Sequence, residues 1–153
     1  MKTNNQEEIL TEDEMKKATA TLLLLLLVFT LAATDLSPST VVIKENSIDG
    51  YNVIKYLAMQ EWGTDHGMVL YTINSQCDSC MNVLEAALNP GGKFSIFVES
   101  VEYWSAPGMA ASNMTILTEW LGEADFDTIF TMHCDWCMVE YEYNKQIKAA
   151  GSY

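Results

Sequence analysis

Arginine is absent from this chain: all eight basic residues are lysines, and they face 21 acids for a net charge of -13. After Thr34 the imbalance is sixteen acids against five lysines. A surface this negative repels phosphate backbones and anionic headgroups, so nucleic acid is excluded as an expected partner. Histidine occurs only as His66 and His133, and no serine, histidine and aspartate set has a local signature. A phosphate loop is also missing, because "NPGGK" at 89–93 lacks the Walker spacing. No cofactor is therefore expected. Trp62, Trp104, Trp120 and Trp136, with nine methionines, read as core and interface residues.

What the chain does have is apolar material: 49% hydrophobic against 19% charged residues, enough for one globular domain. Residues 18–34, "ATATLLLLLLVFTLAAT", carry no charge. As a helix of about 1.5 Å rise per residue they would cover roughly 25 Å, the short end for a bilayer span. Thr11 and Glu14 have capping-box spacing, and Lys16 and Lys17 flank the run on its amino-terminal side. The expectation is an acidic cytoplasmic leader at 1–17, a signal anchor crossing the lipid bilayer at 18–34, and an extracytoplasmic domain at 35–153. A cleaved secretory signal is the competing account, weakened by five acids ahead of the apolar core. A buried leucine helix is the third.

Beyond the "LSPST" break, "TVVIKE" reads as a strand and "SIDGYNVIKYLAMQEWG" as a helix burying Val53, Ile54, Leu57 and Trp62, with Gly63 as its stop. "GMVLYTI" reads as a second strand, "CDSCMNVLEAALNPGG" as a helix, and "KFSIFVESVEYW" as a third strand with Phe94, Ile96, Val98 and Val101 on its apolar side. "SAPGMAASNM" reads as a loop and "TILTEWLGE" as a short helix. In "DTIFTMHCDWCMVEYEYN" the period-two alternation after Cys137 predicts a β-hairpin turning at Asp135 and Trp136. The expected class is α/β, a small sheet covered by helices and closed by a C-terminal hairpin.

The four cysteines form two C-x-x-C units, Cys77 with Cys80 and Cys134 with Cys137. Outside a membrane such pairs are usually disulfides, and four cysteines allow three complete connectivities. At a helix start the first sulfur would be stabilised as thiolate by free N–H groups and the helix dipole, and the second could resolve a mixed disulfide. Asp78 and Glu85 oppose that by raising the thiol pKa. A zinc site of four thiolates, or with His133 as a ligand, is a further reading, set back by the long gap between the units. His66 lies in a glycine-flanked loop, and Asn113–Thr115 is an N-glycosylation triplet.

"VLYTINSQCDSC", then "NVLEAAL" and "KFSIFVE", resembles the strand, C-x-x-C, helix and strand of the thioredoxin and glutaredoxin superfamily, over about residues 40–103. The resemblance implies a thiol-disulfide oxidoreductase acting on protein thiols, with Cys77 attacking, Cys80 resolving, and Cys134 with Cys137 as a supporting disulfide. A second resemblance, "KKATA" before the leucines and "ALNPGGKFSIFVE", is to archaeal pilin-like proteins. It implies assembly with fellow subunits through the apolar helix, with the cysteines as staples.

Overall fold

The computed structural model describes residues 35–121 and 126–151, and residues 36–153 form one compact unit. Every element described is a helix: α1 Pro38–Asn46, α2 Ile48–Trp62, α3 His66–Leu88, α4 Phe94–Tyr103, α5 Ala110–Leu121, α6 Phe126–Phe130 and α7 Trp136–Ala150. The expected sheet is thereby overturned. Among the described residues the sole β pairing is an isolated antiparallel bridge between Ser105 and Cys134.

Caps set the helix boundaries. Ser37 accepts from Thr40 N ahead of Pro38, whose fixed φ suits the first turn. Ser47 ends α1 by donating its N–H to Ile43 O, and begins α2 by accepting from Gly50 N with its hydroxyl. Gly63, at φ +57°, terminates α2 where its sequence position predicts. Asp65 caps α3 through Met68 N, and Asn89, extended ahead of Pro90, closes it. Asp135 accepts from Met138 N to start α7.

The longest helix, α3, is the centre, and α1, α2, α4 and α7 all pack against it. Its buried stripe of Val69, Ile73, Cys77, Cys80, Leu84 and Ala87 keeps three- and four-residue spacing throughout. The expected strand "GMVLYTI" is thus the first half of the helix that continues through the cysteines. A short apolar run fits strand or buried helix equally well, and here the stripe beyond it decides.

The same physics corrects the other strands. "TVVIKE" lies in α1, burying Thr40 and Ile43, and "KFSIFVESVEYW" becomes α4, burying Phe97, Ser100 and Val101. The expected hairpin is α6, a connecting loop and α7, where Trp136, Val139 and Tyr143 recur at helical spacing. Alternation of Met138, Glu140 and Glu142 with Val139, Tyr141 and Tyr143 is overridden because the residues that need burial repeat every three to four positions. In α2 the buried line is Gly50, Ile54 and Ala58, and Trp62 is exposed.

The anchor expected at 18–34 lies outside the described residues. Among those described, no helix is long and apolar enough to cross a membrane, which corrects the reading of a single-pass membrane protein with an extracytoplasmic domain. Even α3, with 23 residues, is interrupted by Asn74, Ser75, Gln76, Asp78 and Glu85.

Candidate functional site

Cys77 occupies the middle of α3 and is fully buried, so neither free N–H groups nor the helix terminus reach its sulfur. Burial, offset in part by a hydrogen bond from Thr40 and reinforced by Asp78, pushes its thiol up to about 11. Cys80 is fully buried and its thiol is raised well above the ordinary value, first by burial and then by its neighbours Cys134 and Cys77. Cys134 is raised by burial and by Asp135. Cys137, half-buried, is raised by burial against a hydrogen bond with Ser79, with Asp135, Glu140 and Asp78 adding to the rise.

All four are free thiols. The expected disulfide between Cys134 and Cys137 is not formed, and an attacking thiolate at Cys77 with Cys80 as resolver has no basis in an enclosed, pKa-raised site. The thioredoxin-like, membrane-anchored oxidoreductase is accordingly withdrawn, and the staple disulfides expected of a pilin-like subunit are not formed, while the apolar helix of that reading lies outside the described residues. Among the described residues no group of three or more His, Cys, Asp or Glu is placed to hold a metal, so the two cysteine pairs assemble no zinc site.

The polar groups that organise this region lie beside the cysteines. On α3, Gln76 donates from Nε2 to Asp135 Oδ1 at 2.9 Å and accepts from Trp136 N at 2.6 Å. One amide thus grips the first turn of α7, about one helical turn before Cys80. Beneath it the loops at 104–107 and 132–135 are latched together: Ala106 N donates to His133 O and Asp135 N to Trp104 O. Asn113, fully buried, completes the latch. Its Nδ2 donates to Ser105 Oγ and His133 O, and its Oδ1 accepts from His133 N at 3.0 Å. An amide so enclosed is no glycan acceptor in the folded chain. His133 serves through its backbone, and exposed His66 lies in the first turn of α3.

Between α2 and these loops opens a cleft of about 270 Å³. One wall is apolar, from Ile54, Leu57 and Ala58 of α2. Opposite stand Trp104, Ala106 and Pro107, with Thr72, Gln76 and Ser105 supplying hydrogen-bonding groups. Glu61 and Asp135 also line it, both exposed, and no basic residue does. Trp104 Nε1 is buried without a protein partner.

Of the candidate site residues read from the sequence, only Cys134 lines this cleft; Ile54, Leu57, Trp104 and Asp135 line it too, but the sequence reading has them as core, interface or turn residues. Gln76, Asn113, Trp104, Glu61 and Asp135 were missed as site residues. The legible signal among them was Asp135, an aspartate directly before the helical spacing of Trp136, Val139 and Tyr143. Compared with known proteins, the chain matches no family model, no curated protein and no solved structure.

Proposed function

We propose that the unit spanning residues 36–153 is a small-molecule binding domain, with the cleft beside α2 as its site. The observation that carries this reading is the cleft itself: an apolar wall and convergent hydroxyl, amide and carboxylate groups supplied by α2, α3 and the two loops that Asn113 latches together. Its volume lies near the lower edge of the range of about 300–1,000 Å³ usual for ligand pockets, which suits a small ligand. Binding is favoured over catalysis because the one thiol in the lining, Cys134, is buried with its pKa raised, and no histidine lines the cleft to activate it or the Ser105 and Thr72 hydroxyls. The acidic surface sets nucleic acid aside as the ligand.

Saturation-transfer NMR with benzyl alcohol, benzyltrimethylammonium and benzoate tests the site. At least one probe is expected to bind the wild type and to lose binding in Ala106→Trp or Leu57→Trp, each of which fills the cleft. Circular dichroism checks that the variants remain helical. Absence of binding by all three probes, or binding unchanged in both folded variants, sinks the reading.

A further inference from the structure

Resting on that reading, we propose that the ligand of the cleft is an organic cation with an apolar body, held by Glu61 and Asp135 beside Trp104. Six observations converge on this chemistry. The two ionisable carboxylates in the lining have no cationic counterpart there. Glu61 lies in the last turn of α2, a turn without a basic residue, where unsatisfied carbonyls make the helix end negative and add to its charge. Among the described residues neither a lysine nor a hydrogen-bond donor engages Glu61.

Asp135 is held in place from one side only. Gln76 Nε2 and Met138 N both bond its Oδ1, which leaves Oδ2 for a ligand. Trp104 adds an indole, the aromatic group that best accommodates an alkylammonium. The apolar wall of Ile54, Leu57 and Ala58 selects for a hydrocarbon body. An inorganic divalent ion is the poorer match, since no set of three metal-ligating side chains is present among the described residues.

Calorimetric titration at low salt with benzyltrimethylammonium, benzyl alcohol and benzoate separates charge from shape. The cation is expected to bind tightest, and to weaken as sodium chloride is added. Glu61→Gln and Asp135→Asn should each weaken it about threefold to fivefold while leaving benzyl alcohol unchanged. Asparagine caps helices as well as aspartate, so Asp135→Asn removes charge without removing the α7 cap. If benzyl alcohol or benzoate binds as tightly as the cation and both variants are silent, the cation inference falls while the binding cleft stands. If no probe binds, both fall.

Discussion

Cys77 and Cys80 sit on the buried stripe of α3 in the company of Ile73 and Leu84, and they act there as small apolar residues. Their protons are held by burial. Below about pH 9 the folded and unfolded chains both carry protonated thiols, so stability does not depend on them. As pH climbs from the ordinary value of 9.0 toward about 11 for Cys77, the unfolded chain loses its thiol protons first and is favoured. Urea midpoints should therefore fall across that window, and fall less in Cys77→Ala. At neutral pH, N-ethylmaleimide should label half-buried Cys137 ahead of the three buried thiols, and all four in urea. Rapid native labelling of Cys77 read by mass would contradict its enclosure.

Among the elements, α2 and α6 meet at a glycine. A Cβ on Gly50 would strike Cβ of Phe130, with the Phe130 carbonyl carbon at 2.8 Å and Ser47 Oγ at 2.7 Å. Alanine is ordinarily the better helix former by about 1 kcal/mol. Here the clash with a neighbouring backbone reverses the sign, and Gly50→Ala should destabilise by about 1–3 kcal/mol in urea unfolding. A stabilised variant would mean that the two helices do not approach this closely.

The same scale shows what could be read beforehand. The α2 helix and its Gly63 stop were legible because cap, period and glycine lie within one segment. So was the carboxyl half of α3, from Cys77 onward. The strands were misread because "TVVIKE", "GMVLYTI" and "KFSIFVE" are β-branched or aromatic runs too short for period to discriminate. Continuing the stripe from Val69 to Ala87 across the cysteines would have exposed the single helix. Gln76 as a clamp was beyond reach, because its partners Asp135 and Trp136 N lie 59 and 60 residues away.

Across the whole molecule, charge is the dominant long-range effect. With 21 acids against eight lysines, the folded chain repels itself, and the exposed pair of Lys145 and Glu142 relieves little of that. Thermal melts should shift upward as sodium chloride is raised from about 0.02 to 0.5 M, where the Debye length shrinks from tens of ångströms toward a few. A melting temperature indifferent to salt would show that the acids are already compensated. The residues and their order alone determined this acidity and the Gly63 stop of α2, since charge and a helix stop need only the residues themselves and their near neighbours. Only the tertiary structure decided that the cysteines face inward and that the loops around Trp104 and Asp135 close upon Asn113 to leave a cleft. Burial and convergence depend on which surfaces meet, and segments distant in sequence are brought together only by packing.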